Sequence, residues 1–411
     1  MTERLAARRL IALLLAAGLA ASAVSACSSG STGASSTPTP APTPTTTPYS
    51  PPPVFSPTPP AMVAEPESPA CYVASTGPAY RLERCYLQSP SLAGNLLGDS
   101  VLHFFVLTPR DYATSGLRYP SVYFLTGYTD DASESAEMVA RSAISAKTPA
   151  GKVPPIVVTV AGLNVFGGSM YANSAIGGNW EDAVTHDLIG YVDSYYRTIG
   201  TRESRGITGH SMGGAGAINI AMHHAELFGA LYAMSPAVFD ASEGSWMMDP
   251  SIAGKVLGLE DQIKAAGKLS AAERANRIEA AVAADPNLRF PFAYGTAFNG
   301  DLASPILMDF PYKGANGQAD PTLLARWQSG WGRLAERVAQ YEAALQKYAA
   351  IGVDCGTLDG VWSGSHRFVG LLQGAGIAVE ENAFNGGHTD QFDDRMLNHT
   401  LPFMAEHLAQ Q

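Results

Sequence analysis

The chain of 411 residues has few cysteines, a shortage of positive charge and only 15% charged residues. Four cysteines are too few for a disulfide scaffold, and because they show no C-x-x-C spacing, the sequence does not support a structural zinc site of the thiolate type. With 26 Lys and Arg against 37 Asp and Glu, the net charge of −11 excludes an extended basic face, so nucleic acid is not an expected partner. The 46% of apolar residues are instead typical of an ordinary globular chain with a sizeable core.

The N-terminus reads as an export signal. Met1–Ala26 has a basic start followed by the uncharged run Leu10–Ala23, which is too short to cross a bilayer. The run ends in the letters VSAC at Cys27, which resembles the lipobox of bacterial lipoproteins. We therefore predict that Cys27 is the lipidated first residue of the mature chain, with a soluble secreted protein cleaved nearby as the alternative. In both cases the predicted compartment lies outside the cytoplasm.

Residues 27–69 are dominated by Pro, Ser and Thr. Such a segment cannot bury enough apolar surface to offset the entropy of ordering it, so we predict a disordered tether. Loss of 1–26 would leave 23 basic against 36 acidic side chains, which gives no attraction to anionic lipid. The membrane is therefore an expected partner only through the lipid on Cys27.

The remaining cysteines have different expected roles. Cys71 and Cys85 could form a disulfide in an oxidising compartment, which would stabilise the fold by about 3 kcal/mol for a loop of this size. Cys355 lies within an apolar run and is predicted to be a buried small hydrophobe.

From residue 70 to 411, strand-like and helix-like segments alternate without a repeat. This pattern predicts an α/β fold with a mostly parallel central sheet and helices on both faces. Residues 240–345 break the alternation with a mainly helical pattern, so we interpret them as an insertion over the sheet. The predicted strands are 101–108, 119–125, 156–161, 205–208, 230–234, 351–355 and 377–383, and the predicted helices are 181–197, 213–225, 364–374 and 391–409.

The segment Gly209–Gly214 carries the chemistry. It reads GHSMGG between a short predicted strand and a predicted helix, which is the context that a G-x-S-x-G nucleophile turn requires. Ser211 is therefore the predicted nucleophile. The neighbouring His210 is a poor candidate for the base, because adjacent residues on a tight turn project in different directions.

A serine hydroxyl needs a neutral imidazole to accept its proton and a carboxylate to orient that imidazole. His388 lies in a Gly-rich loop between the last predicted strand and the last predicted helix, where the base is expected. Two carboxylates compete for the third role. Asp359, in the turn after strand 351–355, is favoured over Asp354, which lies inside that strand and would point into packing.

Two backbone N–H groups are predicted to stabilise a developing oxyanion. One belongs to Met212, at the start of the helix after the nucleophile, and the other to Tyr128, in the loop after strand 119–125. Loss of one such donor generally costs about 3 kcal/mol of transition-state stabilisation.

These residues resemble the α/β-hydrolase family that includes esterase D, feruloyl and acetyl xylan esterases and the mycolyltransferases. The resemblance covers about 95–240 and 345–410, and it implies Ser211, Asp359 and His388 as a catalytic triad with Tyr128 and Met212 as oxyanion donors. One departure is Thr126, where many relatives carry His. The segments that carry the resemblance are 108–112, 122–128, 187–198, 209–214, 356–359 and 386–388.

The resemblance also implies that insertion 240–345 selects the substrate. Its large side chains are candidates for an acyl or aryl pocket, although each could equally pack the insertion against the sheet. Outside the insertion, Trp180 and His210 are candidate substrate-binding residues. The candidates within it are Trp246, Met247, Met248, Phe290, Phe292, Tyr294, Phe298, Trp327 and Trp331.

The expected function is a tethered, extracytoplasmic serine carboxylesterase that needs neither cofactor nor metal. Its expected substrate is a small-molecule or polymer-linked ester. Two alternatives stay open at this point: acyl transfer of the mycolyltransferase type, and a catalytically inactive hydrolase fold that serves binding.

Overall fold

The computed structural model describes residues 71–77, 80–239, 250–313 and 318–410. The predicted signal segment 1–26, the lipidation site Cys27 and the tether 27–69 lie outside this range. Among the described helices, none combines the length and the apolar character needed to cross a membrane.

Among the described residues, nine strands form one central sheet in the order β1-β2-β3-β5-β4-β8-β9-β12-β13, and four more form two short ribbons, β6-β7 and β10-β11. The strands are β1 Cys71–Gly77, β2 Tyr80–Gln88, β3 Val101–Pro109, β4 Ser121–Leu125, β5 Ile156–Val160, β6 Asn173–Ser174, β7 Gly178–Asn179, β8 Arg205–His210, β9 Ala230–Met234, β10 Tyr312–Lys313, β11 Gln318–Ala319, β12 Ala350–Gly356 and β13 Glu380–Phe384.

The six strands from β5 to β13 in this order are parallel, whereas β1, β2 and β3 are added antiparallel at one edge. All residues of β4, β5, β8 and β9 are buried, as expected for parallel strands covered on both faces. The register pairs Leu125 with Gly209 and His210 with Met234, so the carboxyl ends of these strands meet at one edge of the sheet.

Helices cover both faces, which confirms the predicted α/β architecture. One core joins the sheet to the helical run 180–195, to Met212–His223 and to the insertion. A second core joins the opposite face to Ser133–Ser145 and to the C-terminal run 392–407. The remaining α-helices are Tyr112–Ser115, Pro250–Ala265, Ala271–Ala284, Arg289–Phe298, Pro321–Gln328, Leu334–Leu345 and Trp362–Gly374.

Two predicted strands start later than expected, for local reasons. The strand predicted from Tyr119 begins at Ser121, since Pro120 has no N–H for the ladder. The strand predicted from Ile377 begins at Glu380, because the N–H of Ile377 closes the preceding helix on the carbonyl of Leu372 (2.9 Å).

The segment before β12 is mainly helical in its described parts and also contains the short β10-β11 ribbon. Its last helix, Leu334–Leu345, packs on Met212–His223, and the buried Arg337 donates there to the amide oxygen of Asn219. This helix therefore belongs to the layer against the sheet. Trp246, Met247 and Met248 lie outside the described residues.

Most of the described aromatic candidates in this segment are packing residues. Phe292, Tyr294, Trp327 and Trp331 are buried, and the Tyr294 ring lies 5.1 Å from that of Trp327 and 5.3 Å from that of Trp331. Phe298 is only partly buried, with its ring 4.7 Å from that of Tyr294. Phe290 is also partly buried, and its ring lies 5.4 Å from that of Tyr128.

The three cysteines of the folded part have distinct environments. Cys71 and Cys85, paired across β1 and β2, form a disulfide. Cys355 is a buried free thiol on β12, and burial raises its pKa to about 12.

A charged cluster ties the end of the helix Met212–His223 to the neighbouring helical run. Glu181 accepts from Nδ1 of His223 (2.9 Å) and from Nε2 of His224 (2.8 Å). Burial alone would raise the pKa of Glu181, but the hydrogen bonds and charges of these histidines lower it to about 2. Burial likewise opposes the charged form of His224, whereas Glu181 and Glu226 raise its pKa.

Candidate active site

Ser211 lies on a strained turn between β8 and the helix Met212–His223. Its φ of 59° and ψ of −116° are an unfavourable conformation for a residue with a side chain. The glycines around it make the turn possible, because a β-carbon on Gly213 would overlap the carbonyl of Leu125 and one on Gly209 would overlap Gly213. The sharp turn presents the hydroxyl at the carboxyl edge of the sheet.

His388 and Asp359 meet Ser211 at this edge. Nε2 of His388 lies 2.7 Å from Oγ of Ser211, although 177 positions separate the two residues. Nδ1 of His388 lies 2.8 Å and 3.0 Å from the two carboxylate oxygens of Asp359. Because the carboxylate accepts from Nδ1, Nε2 is free to accept the serine proton.

The two candidate acids have different environments. The side chain of Asp359 is 2% exposed and accepts from the N–H of Val361 (3.1 Å) as well as from His388. Burial raises the pKa of Asp359, but the hydrogen bond and charge of His388 and the bonds from Val361 and Ser235 lower it overall. Asp354 is instead buried in an ion pair with Arg395. Of the two, the structure brings Asp359 to the base.

Both predicted oxyanion donors border the serine. Met212 begins its helix, where the first N–H groups have no helical partner. The loop of Tyr128 approaches from β4, and a β-carbon on Gly127 would lie 3.7 Å from Cβ of Ser211.

Tyr171 fixes this loop, a role that no sequence pattern indicated. Its buried hydroxyl accepts from the N–H of Thr126 (2.8 Å) and donates to the carbonyl of Val160 (2.9 Å). The phenol therefore links the end of β5 to the first residue of the oxyanion loop. The Tyr128 side chain adds a second brace, since its hydroxyl donates to the carbonyl of Phe166 (2.6 Å) and its ring lies 5.4 Å from that of Phe290.

The two predicted substrate-binding residues outside the insertion have other contacts. Trp180 is 5% exposed, and its indole N–H donates to the carbonyl of Gly177 (2.9 Å), so its position is that of a core residue. His210 is also buried, and its Nε2 lies 2.9 Å from the backbone carbonyl of His388. His210 thus contacts the loop of the proposed base rather than an open cleft.

The arrangement supports nucleophilic attack by a serine hydroxyl on a carbonyl group. It places a hydroxyl and a buried carboxylate on the two nitrogens of one imidazole, which is the arrangement that nucleophilic catalysis by a serine requires. Within the described part of the chain, no cluster of three or more His, Cys, Asp or Glu side chains could hold a metal ion.

Comparison with known proteins points to esterases. The family described as "Putative esterase" matches residues 97–359. An esterase of Mycobacterium tuberculosis is 34% identical over 118 residues, which are 28% of this chain and 25% of that protein. The chain therefore matches only a quarter of the length of this curated relative.

Solved structures that are similar to this chain include a ferulic acid esterase, with a TM-score of 0.48 and 20% identity over 80% of this chain and 98% of the other. An S-formylglutathione hydrolase from Agrobacterium tumefaciens has a TM-score of 0.46 and 16% identity over 82% of this chain and 98% of the other.

Proposed function

This chain belongs to the Putative esterase family, and from that premise we propose that it is an extracytoplasmic serine carboxylesterase that works through an acyl-enzyme. The observation that carries the proposal is the joint placement of Ser211 and Asp359 on opposite nitrogens of the His388 ring. Without both contacts in one geometry, the imidazole would lack either its proton donor or the group that fixes its tautomer.

The reaction proceeds in two halves. Ser211 attacks the ester carbonyl while Nε2 of His388 takes its proton, and the N–H groups of Met212 and Tyr128 stabilise the oxyanion. The imidazolium then protonates the departing alcohol. In the second half, His388 activates a water molecule that hydrolyses the acyl-enzyme, which restores the serine.

The substrate is a small-molecule or polymer-linked carboxylic ester. Phe290, which reaches the Tyr128 ring from the insertion, supports a role of this segment in shaping the acyl or aryl side of the site. Phe290 also lies 6.1 Å from the Trp331 ring and is therefore held by the aromatic core of the insertion.

The proposed location is the outer side of the cell membrane, with a lipid on Cys27 as the anchor. The pairing of Cys71 with Cys85 supports an oxidising compartment. Partition of the full chain into the detergent phase of a cloud-point extraction, lost in a Cys27→Ser variant, tests the anchor. Equal partition of both forms would refute it.

A chromogenic short-chain ester and a fluorophosphonate probe test the chemistry. We expect the full chain to hydrolyse the ester and to gain the mass of one phosphonyl group, and Ser211→Ala to do neither. The matched control is Ser194→Ala, an exposed helical serine whose hydroxyl bonds the carbonyl of Gly190. Equal hydrolysis by wild type and Ser211→Ala would refute the proposal, and a wild type inert toward both reagents would favour the binding-protein alternative.

Acyl transfer is separated from hydrolysis by the products. With a labelled ester and an excess of a sugar alcohol, the esterase is expected to release free acid, whereas a transferase would yield the new sugar ester.

A further inference from the structure

Two side chains donate to the backbone carbonyl of His388, the proposed base. Nε2 of His210 lies 2.9 Å from that oxygen, and Nη1 of Arg395 lies 3.4 Å from it. Arg395 also reaches the carbonyl of Asp390 (3.5 Å), two residues further along the same loop. The loop that carries the imidazole is therefore held through its main chain from two directions.

Arg395 is buried and connects this loop to the strand of the proposed acid. It is 1% exposed and donates through Nε (3.1 Å) and Nη2 (2.5 Å) to one oxygen of Asp354. Asp354 lies on β12, five positions before Asp359 in the turn that follows. One guanidinium thus spans the base loop and the acid strand.

Ser235, directly after β9, joins the same network. Nη2 of Arg395 donates to its hydroxyl (3.0 Å), and its own N–H donates to the carbonyl of Asp354 (2.8 Å). Ser235 is buried and has a φ of 38°, which is unfavourable for a residue other than glycine. Because its side chain also bonds Asp359, it links the ion pair to the acid.

Stability alone does not explain a buried ion pair here. The removal of two charges from water has a large free-energy cost. A protein in which well-packed apolar residues of similar volume replace a buried ion pair is often as stable as the original or more stable. One oxygen of Asp354 also has no hydrogen-bond partner, so the pairing is incomplete. The pair does, however, supply directed donors at the carbonyl of His388, which apolar side chains cannot do.

We propose that Arg395, oriented by Asp354 and assisted by His210, is a positioning residue that fixes the His388 loop so that its imidazole meets Ser211 and Asp359 together. This inference rests on the proposed serine esterase function. None of these three side chains reacts with substrate; each acts through the placement of His388.

The chemistry of His210 fits this task. Burial, then the neighbouring imidazole of His388 and the charge of Arg395, lower the pKa of His210 well below its ordinary value. The neutral form that results has one donor and one acceptor nitrogen. A carbonyl oxygen can only accept, so the proton of His210 lies on Nε2. Its ring also lies 4.9 Å from that of His388 and 5.6 Å from that of Phe392, which limits its rotation.

The decisive variant replaces the whole ion pair, Arg395→Met with Asp354→Leu, so that no unpaired charge remains buried. We expect it to fold with a Tm close to that of the wild type. We expect kcat to fall roughly 10- to 100-fold with little change in KM, because an imidazole misplaced by about 1 Å loses activity on this scale. The rate of phosphonylation at Ser211 should fall in the same proportion.

The matched control is a second, largely buried ion pair on the strand of the nucleophile. Arg205 lies 2.7 Å from Asp193, with side chains 6% and 25% exposed, at the start of β8 and about 20 Å along it from the serine. The change Arg205→Met with Asp193→Leu alters the protein chemically in the same way but should leave kcat at the wild-type value. A folded Arg395/Asp354 double variant with wild-type kcat would overturn the inference.

Conservative variants separate position from charge. Arg395→Lys keeps the charge beside Asp354 but lacks the planar fork that also reaches the loop carbonyl, so we expect the Tm to recover more than kcat. His210→Gln keeps a donor near Nε2, and its kcat should exceed that of His210→Leu. The opposite order in either comparison would contradict the positioning role.

One further readout is independent of turnover. The Nδ1 proton of His388 between the imidazole and Asp359 should give a low-field NMR signal that broadens or disappears in the Arg395/Asp354 double variant and persists in the control pair. If Ser211→Ala is as active as the wild type, the proposed function itself fails. If Ser211 is essential but the double variant keeps both signal and kcat, only the positioning inference fails.

Discussion

Replacement of Asp359 by Asn tests the proposed triad most directly. The carboxylate lies 2.8 Å from Nδ1 of His388, and its side chain is 2% exposed. At an effective dielectric constant of about 20, a carboxylate stabilises an imidazolium at this distance by about 6 kcal/mol, or ~10⁴-fold in rate. Asn retains the shape of the side chain but lacks the charge. Its amide also does not fix the His388 tautomer with the proton on Nδ1.

We therefore expect Asp359→Asn to lower kcat about 10³- to 10⁴-fold with a modest change in KM, as expected for an interaction that strengthens in the transition state. Initial rates with a chromogenic ester at saturation, on protein whose folding is verified by its Tm, give the number. Glu380→Gln is the control, because this carboxylate lies at the exposed start of β13 and bonds Asn382 (2.8 Å).

The comparison with Asp354→Asn decides between the two carboxylates. Asp354 orients Arg395, so its loss should reduce kcat less than the loss of Asp359. If Asp359→Asn keeps kcat within about tenfold of the wild type while Asp354→Asn abolishes it, the assignment of the acid is wrong.

Three further predictions concern other parts of the fold. Gly364→Ala should lower the Tm, because a β-carbon at this position would overlap a neighbouring backbone carbonyl. Gly370→Ala, on the same helix, places its β-carbon in open space and should stabilise the protein by about 0.5–1 kcal/mol. Equal effects of the two substitutions in thermal unfolding would contradict this prediction. The pKa of Glu181 is lowered to about 2, so its contribution to the free energy of unfolding is present above its ordinary pKa and is lost as the pH falls toward 2. Glu181→Gln should therefore be less stable than the wild type by roughly 2 kcal/mol at pH 6. Denaturant titrations in which this difference in stability does not shrink below pH 4.5 would refute the prediction. Tyr171→Phe removes the shorter hydrogen bond of the Thr126 N–H (2.8 Å) and leaves only its longer one to the carbonyl of Val160 (3.2 Å). The oxyanion loop is then held less firmly, so kcat should fall roughly 10- to 100-fold with little effect on KM, which steady-state kinetics would disprove if kcat stayed unchanged.

The sequence determined the parts of the site whose chemistry is local. A serine between glycines, after a strand and before a helix, specifies a strained turn, because only glycine fits where the main chains touch. The sequence also predicted the fold class. A β-branched run such as Ile156–Val160 is typical of a strand that is buried on both faces, as in a parallel sheet covered by helices. The position of Asp359 in a turn made it the preferred candidate over Asp354, and its carboxylate lies 2.8 Å from Nδ1 of His388.

The sequence alone does not predict the roles of residues whose contacts are distant in the chain. Trp180 has the size of a pocket wall, but its environment is the core, and nothing around Tyr171 in the chain indicates a bond to Thr126. Arg395 reads as an ordinary helical arginine until the fold buries it between β12 and the His388 loop.

The physical reason is the range of the interactions. Turn strain, strand burial and helix starts are set by a few consecutive residues, which a single sequence displays. A hydrogen bond between side chains 177 positions apart depends on sheet order and on the register of parallel strands. The sequence can rank Asp359 above Asp354, but only the tertiary structure shows that the Asp359 carboxylate reaches the imidazole and that Arg395 contacts the loop of His388.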